Sequence, residues 1–73
     1  MTSSRYHKQC QAHIAIAKGK IAQLQFNDAA IEILRADGFA IHAGDMFWVE
    51  KMRRELIDEH GVDWRKVKQD FTP

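Results

Sequence analysis

Proline is absent from this chain before its last residue, Pro73, and that absence constrains the fold more than any other feature of the sequence. Proline interrupts helices more strongly than any other residue, so nothing in residues 1–72 forbids helix. Helix ends must instead be set by capping side chains and by glycine. The four glycines are Gly19, Gly38, Gly44 and Gly61. We expect the last three to lie where helices begin or end.

The length of the chain limits it to one small domain. A chain of 73 residues buries only about 60% of the surface that its unfolded form exposes, so its stability is marginal. Small domains usually gain stability from disulfides, a metal or a second copy of the chain. Cys10 is the single cysteine, which rules out a disulfide within the chain. We therefore expect either unusually good packing or a helical homodimer.

Composition places the chain among globular proteins, because 45% of its residues are apolar and 29% are charged. No apolar run approaches the roughly 20 residues that a membrane span requires. Met1 is followed by polar Thr2, Ser3 and Ser4, and not by the pattern of a signal peptide. We expect a soluble, cytoplasmic protein that does not enter a membrane.

A single apolar stripe runs along the first third of the chain. Its members recur at spacings of three and four residues, as they would on one face of a helix: Tyr6, Cys10, Ile14, Ala17, Ile21 and Leu24. Ser3 or Ser4 can cap such a helix. The pattern predicts a long first helix over residues 4–25, with Gly19 as its weak point.

A β-hairpin in residues 13–26 is the alternative to this helix. A three-residue loop centred on Gly19 would keep Ile14 and Leu24 on one face, so the hairpin passes the register test. Against the hairpin, glycine would then occupy the middle of the loop and not its last position, where the left-handed conformation is usually needed. Alanine and glutamine also favour helix.

The next segment predicts a short second helix. Asn27 is a suitable N-cap, because Phe26 before it and Ile31 after it occupy the two positions of a hydrophobic staple. The helix would run from Asp28 to Ala36 or Asp37 and stop at Gly38 in the left-handed conformation. Residues 39–44 would then be a connector or a short strand.

Two more helices are predicted downstream. Asp45 can cap a third helix over residues 46–60, which Gly61 would end. Asp63 can cap a fourth helix whose apolar stripe is Trp64, Val67 and Phe71. Residues 1–73 are thus predicted to form a single, mostly α domain of three or four helices with a long first helix. The alternative is an α+β fold in which residues 39–44 and 46–49 form a short β-hairpin.

Charge is unevenly distributed, although the net charge is only +1. Residues 1–27 contain no acidic residue and include the cations Arg5, Lys8, Lys18 and Lys20. Such a basic segment can contact phosphates. Four separate charges are also typical of a solvated helix face. These four residues are candidate nucleic-acid contacts.

One cluster has the residue types of a metal site. His7, Cys10 and His13 follow one another at spacings of three, which brings neighbours together on a helix. Binding by all three would be strained, and a fourth ligand would have to come from His42 or His60. Cys10 also lies in the middle of the apolar stripe, where cysteine behaves as a small hydrophobic residue. We therefore predict no metal.

No catalytic motif is present in the sequence. The glycines occur singly, and there is no phosphate-binding loop, no G-x-S-x-G and no H-E-x-x-H. His42 and Asp45 could be a base and the residue that orients it, but Asp45 is explained more simply as a helix cap. We predict a protein that is not an enzyme and needs no cofactor.

The second and third predicted helices resemble a helix-turn-helix in outline, but the details do not fit. If Gly38 is taken as the turn glycine, Asp37 and Gly44 fall where that motif needs buried apolar residues. Leu34 then falls where the motif needs a small residue. The third helix is also not strongly basic. Its charges are spaced for internal ion pairs, which are Glu50–Arg54, Lys51–Glu55 and Arg54–Asp58.

The third helix carries one aromatic residue on the wrong side for a monomer. At about 100° per residue, one half of its circumference holds most of its apolar side chains. These are Met46, Trp48, Val49, Met52, Leu56 and Ile57. Met46, Trp48, Val49 and Met52 are expected to anchor the core. Phe47 falls on the other half, among Lys51 and Arg54. Aromatic residues and arginine are enriched at the centres of protein interfaces. The candidate partner-binding residues are Phe47, Trp48, Lys51, Arg54 and Trp64.

The sequence therefore favours a small non-enzymatic regulator or stoichiometric inhibitor that binds another protein. It could also dimerise through its first helix or through the Phe47 surface. Small single-domain chains of this kind are often carried by phages and other mobile elements, which is an association with a class of proteins and does not follow from any one residue. The alternative is a small DNA- or RNA-binding regulator that uses the basic N-terminal residues.

Overall fold

The computed structural model describes residues 2–44 and 46–71, and these form four α-helices with no β-strand among them. In chain order the helices are α1 (Thr2–Ala22), α2 (Phe26–Ala43), α3 (Met46–His60) and α4 (Trp64–Phe71). The predicted mostly α fold with a long first helix is confirmed. Both β-hairpin alternatives are wrong, because residues 13–22, 39–43 and 46–49 lie within helices.

α1 is continuous through Gly19. Its inner face buries Cys10, Ile14 and Ala17, which recur at the spacing of one helix face. Burial of this stripe outweighs the roughly 1 kcal/mol by which glycine weakens a helix relative to alanine. Burial of the apolar stripe therefore keeps the chain helical through Gly19.

The end of α1 differs from the prediction. The Leu24 N–H donates to the Ile21 carbonyl at 2.9 Å, and the Gln25 N–H donates to the Lys20 carbonyl at 2.8 Å. Leu24 itself has a φ of 62°. These two bonds around a left-handed residue close many helices, usually with glycine in that position. Leu24 is 75% exposed, so its predicted place in the apolar stripe is wrong.

α2 is nearly twice as long as predicted. It runs through Gly38 and ends at Gly44, which has a φ of 75° and donates its N–H to the Ala40 carbonyl at 2.9 Å. The predicted stop at Gly38 is wrong. Ala36 and Ala40, on either side of it, are both fully buried, so continuing the helix removes more apolar surface from water than a break would.

The start of α2 also differs from the prediction. Gln25, and not Asn27, is the N-cap, and its side chain forms no capping hydrogen bond. Asn27 is exposed inside the first turn. Tertiary packing sets this boundary, because the Phe26 ring stacks on the ring of His60 at the end of α3, with 4.2 Å between centroids.

α3 has the predicted boundaries, and α4 begins directly after its predicted cap. Gly61 follows α3 with a φ of 66°. The Lys66 N–H donates to Oδ1 of Asp63 at 3.3 Å, which confirms Asp63 as the cap of α4. Asp45, predicted to cap α3, and the side chain of His42 lie outside the described residues. Phe71 is 42% exposed, so it does not complete a buried stripe on α4.

α2 is the central helix of the fold, since α1, α3 and α4 all pack on it. Its inner surface is built from small residues around one large one: Ala29, Ala30, Ile33, Ala36 and Ala40. Small side chains let neighbouring helices approach closely. The largest fully buried side chains are Ile33, Leu56 and Cys10, each from a different helix. One core therefore joins α1, α2 and α3.

A polar contact ties α1 to α2 at the edge of this core. Nδ1 of His13 lies 2.7 Å from Oε2 of Glu32, and the other oxygen of that carboxylate accepts from Arg35 at 2.9 Å. The His13 ring stacks on Phe39 with 5.7 Å between centroids, and Tyr6 packs near the same phenylalanine. His13 therefore serves α1–α2 packing.

Candidate functional site

The first turn of α3 presents two exposed aromatic side chains. Phe47 is 68% exposed and Trp48 is 48% exposed. Their rings meet edge to face, with 5.3 Å between centroids and 82° between planes, which is a favoured aromatic geometry. We call these two residues the aromatic pair.

The aromatic pair is exposed because only a narrow face of α3 packs against the rest of the protein. Val49, Met52 and Leu56 are its buried residues. Phe47 points away from this face, as the helical spacing predicted. Trp48 and Met46 were expected in the core but are exposed. The reason is that α3 packs mainly on a single helix, α2, and only one narrow face of α3 is buried.

A cation orients the indole of Trp48. Nζ of Lys51, one turn along α3, lies 5.4 Å from the centroid of the Trp48 ring. An ammonium group at this distance is attracted to the face of the ring by about 0.5–1 kcal/mol at an exposed site. The contact favours this arrangement of the two side chains.

The ion pairs predicted along α3 are not the ones that form. Glu50 pairs with Arg53, which donates from Nε at 3.2 Å and from Nη2 at 2.5 Å. The hydrogen bond from Arg53 holds the pKa of the Glu50 carboxyl below its ordinary value. The same contact raises the pKa of Arg53. Arg53 is thus the ion-pair partner of Glu50, in place of the expected Arg54.

Two cations lie next to the aromatic pair without a carboxylate partner among the described residues. Within residues 2–44 and 46–71, no ion pair involves Lys51 or Arg54, so the predicted pairs with Glu55 and Asp58 are wrong. Lys51 and Arg54 instead line a shallow cleft of about 380 Å³ together with Phe47 and Glu50. The site thus combines exposed rings with two cations that form no close ion pair among the described residues. Arg54 is still near enough to Glu50 to help lower the pKa of that carboxyl.

Trp64 does not belong to this surface. It lies at the start of α4, is half-buried and packs against the core. It lines a small cleft of about 150 Å³ between α2, α3 and α4, with Leu34 and Arg53 among its neighbours. Trp48 lines a different groove, on the α1 side of α3. The sequence leaves Trp64 open between the partner-binding surface and the core, and the structure places it against the core, away from Phe47 and Trp48.

A groove of about 310 Å³ separates α1 from α3. Both helices pack on α2 and leave this space between them. Its lining residues are Ile14, Lys18, Ile21, Trp48, Lys51, Met52 and Glu55. The aromatic pair and the groove are continuous, because Trp48 belongs to both.

Sequence reasoning missed this groove. Ile14 and Ile21 were assigned to the apolar stripe of the first helix, and Lys18 was considered only as a phosphate contact. The only sequence signal for the groove is that the stripe is wide enough to face two helices. Which helix lies beside it depends on tertiary packing.

The four basic residues of α1 do not form one patch. Arg5 and Lys8 are exposed on the early turns, and Lys18 and Lys20 lie on the late turns, about 20 Å along the axis at 1.5 Å per residue. Lys18 and Lys20 are two positions apart, so they leave opposite sides of the helix. Lys18 faces α3, whereas Lys20 is half-buried elsewhere.

Among the described residues, His7, Cys10 and His13 do not form a group of donor atoms close enough to share a metal ion. Cys10 is fully buried and His13 contacts Glu32. In the described part of the chain, the group with suitably close donor atoms is Glu55, Glu59 and His60, at the end of α3. The imidazole of His60 is stacked on Phe26, and Glu59 is exposed. Nothing in this cluster points to a bound ion.

No family model matches this chain, and no curated protein and no solved structure is significantly similar to it. None of the helices in the described residues is long and apolar enough to cross a lipid bilayer. The arrangement of the side chains is therefore the basis on which a function can be assigned.

Proposed function

We propose that this protein is a small non-enzymatic regulator or stoichiometric inhibitor that acts by binding another protein through the first turns of α3. Phe47, Trp48, Lys51 and Arg54 are the contact residues. As part of the same proposal, the protein works in the cytoplasm and derives from a phage or another mobile element.

The exposure of Phe47 carries the proposal, because 68% of this residue is in contact with water. Burying an aromatic side chain removes about 150–250 Å² from water. At about 25 cal/mol per Å², covering the exposed part of Phe47 is worth about 3 kcal/mol. This free energy of burial does not contribute to folding, but it would contribute to binding a partner with a matching pocket.

The neighbouring cations support the same proposal. Aromatic and arginine side chains together are the usual composition of energetic hot spots in interfaces. Lys51 and Arg54 lack ion-pair partners within the described residues, so a partner carboxylate would not have to displace an existing salt bridge. The contact of Lys51 with the Trp48 ring favours one arrangement of these two side chains, which lowers the entropy lost on binding.

Replacing Phe47 with alanine tests this function. Once a partner has been identified by capture from the native host, Phe47→Ala should weaken the complex by about 2 kcal/mol, or about 30-fold in Kd. Isothermal titration calorimetry measures the affinity. Phe71→Ala is the matched control, because Phe71 is also exposed but lies on α4.

Two results would contradict the proposal. One is an equal loss of affinity for Phe47→Ala and Phe71→Ala. The other is a normal affinity for Phe47→Ala together with a lowered melting temperature, which would make Phe47 a structural residue.

Nucleic-acid binding through Arg5, Lys8, Lys18 and Lys20 is the second candidate. It is favoured by one observation, since within the described residues none of these four cations forms an ion pair. Four phosphate contacts, the most that these separated cations could make, would weaken binding about 100-fold as salt rises from about 50 to 200 mM. A salt titration of the complex separates the two functions. A complex held mainly by burial of Phe47 and Trp48, with only a few charged contacts such as Lys51 and Arg54, should weaken much less over the same range of salt.

Self-association is a further part of the proposal. A homodimer could form through the exposed side of α1 or through Phe47. Analytical ultracentrifugation of the wild type and of Phe47→Ala tests it: loss of a dimer in the variant assigns the interface to α3.

A further inference from the structure

We infer that the groove between α1 and α3 binds an acidic peptide segment of the partner, with a large apolar side chain packed on Ile14 and Met52. This inference rests on the proposed function and specifies the chemistry of the partner. The apolar floor of the groove, the charge of its rim and its position next to Phe47 all favour such a peptide.

The floor of the groove is apolar and formed by the core itself. Ile14 from α1 is 4% exposed and Met52 from α3 is 5% exposed, and both line the groove. Ile21 and the indole of Trp48 form its walls. Methionine side chains adapt to apolar ligands of different shape. An aliphatic or aromatic side chain is the group that fits such a floor.

The size of the groove limits what can enter. A volume of about 310 Å³ lies at the lower end of the range of about 300–1,000 Å³ that is usual for small-molecule pockets. The groove is also open along one side, between two helices. A peptide can therefore lie along the groove and insert one or two side chains into it, in the manner of other helix-in-groove complexes.

The rim of the groove selects negative charge. Lys18 from α1 and Lys51 from α3 stand on opposite walls, and Glu55 is the one acidic residue among the lining residues. Every charged residue in the α1 sequence is basic, because residues 1–27 contain no aspartate or glutamate. Complementary charge steers partners and suppresses those of like charge. Aspartate or glutamate next to the inserted side chain would face both lysines.

The groove continues into the proposed contact surface. Trp48 forms one of its walls and meets Phe47 edge to face, and Lys51 lies on its rim and lines the cleft beside Phe47. A peptide in the groove would therefore also cover the exposed aromatic pair. The two surfaces are used together by one bound segment.

Selection from a displayed library of random linear peptides tests this inference. The immobilised wild-type protein should retain peptides in which aspartate or glutamate flanks leucine, phenylalanine or tryptophan. The Kd of a selected peptide is then measured for the wild type and for Lys18→Glu. The reversed charge should weaken binding about tenfold or more, because attraction becomes repulsion.

Lys8→Glu is the matched control for this experiment. Lys8 is exposed on the same helix but does not line the groove, so the substitution changes the net charge of the protein equally. Its Kd should stay within about twofold of the wild type, since distant exposed charges are screened. Circular dichroism checks that both variants fold, and amide chemical shifts locate the peptide at Ile14, Ile21 and Met52.

Several outcomes would overturn the inference. These are the absence of any selected peptide, selection without enrichment of acidic residues, equal losses for Lys18→Glu and Lys8→Glu, and shift changes outside the groove. Shift changes at the groove on concentrating the protein alone would make a second copy the occupant. Stronger binding of a mixed-sequence DNA duplex at the same residues would assign the lysines to phosphate.

The variants also separate this inference from the proposed function. If Phe47→Ala weakens binding of the natural partner and Lys18→Glu does not, the partner-binding surface stands and the groove is not part of it. If neither variant changes that affinity, the proposed function itself is wrong.

Discussion

The two faces of α3 have opposite roles although they belong to the same 15-residue helix. The inner face buries Val49, Met52 and Leu56 against α2, and the outer face exposes Phe47 between Lys51 and Arg54. Apolar residues occur on both faces, so hydrophobicity alone does not separate them. The difference is that only the inner face has a neighbouring helix. Substitutions on the two faces should therefore change different measured quantities.

The largest effect is expected on the inner face. Leu56→Ala should lower the free energy of unfolding by about 2–5 kcal/mol, because Leu56 is fully buried and the substitution leaves a cavity. In a domain this small, such a loss can abolish the folded state. Thermal and urea denaturation measure it. The same substitution at the exposed Leu24 is the control and should cost less than about 0.5 kcal/mol.

The outer face should show the reverse pattern. Phe47→Ala is expected to change the free energy of unfolding by less than about 0.5 kcal/mol, because the side chain is mostly in water. Its effect should instead appear in the affinity for the partner, at about 2 kcal/mol. A marked loss of stability in this variant would show that the two faces are not separate.

Trp48 lies at the boundary between the faces and should affect both quantities. Trp48→Ala should lower the free energy of unfolding by about 1 kcal/mol, because it removes a half-buried wall of the groove and the contact with Lys51. It should also weaken binding. Trp48→Phe keeps an aromatic ring and should recover part of both losses. A variant that changes affinity alone would place Trp48 wholly on the outer face.

The smallest effect is expected from the ion pair beside the outer face. Arg53 lowers the pKa of Glu50 in the folded protein, so the pair contributes stability above the ordinary pKa of a glutamate. That contribution is lost as the pH falls through the lowered pKa. It should not exceed about 0.5 kcal/mol, because both side chains are partly exposed. Denaturation of the wild type and of Glu50→Gln should therefore differ at neutral pH and converge in acid.

The buried face of α3 and the exposure of Phe47 could be predicted because both depend only on helical spacing. The same spacing could not show how much of the helix would be covered. Trp48 and Met46 were assigned to the core on the assumption that half of the circumference is buried. The structure covers a narrower strip, since α3 packs chiefly on α2. Exposure at the edge of a helix face depends on its neighbours, which the sequence of that helix does not contain.

The boundaries of α2 show a similar limit. Gly38 and Asn27 have the local preferences of a helix end and a cap, and both lie inside the helix. Burial of Ala36 and Ala40 and the stacking of Phe26 on His60 outweigh those preferences. The ends at Gly44 and Gly61, by contrast, follow the local rule, since both glycines have positive φ.

The interhelical parts of the candidate site could not be predicted at all. Lys18 and Lys51 are far apart in the sequence, and only the packing of α1 and α3 on α2 places them on one groove. Arg54 was the predicted partner of Glu50, but Arg53 is the observed one, and this choice also depends on side-chain geometry. Spacing alone allows either arginine.

The unequal packing of the helices on α2 has a consequence for local opening of the fold. α1 packs along α2 far more extensively than α3 does. Segments with few buried contacts open first, and their amide protons exchange with solvent soonest. The amides of α3 should therefore exchange faster than those at the centre of α2. A partner that binds only the closed form would slow this exchange in proportion to its affinity, so deuterium uptake along α3 would detect binding even from an unfractionated mixture of candidate partners.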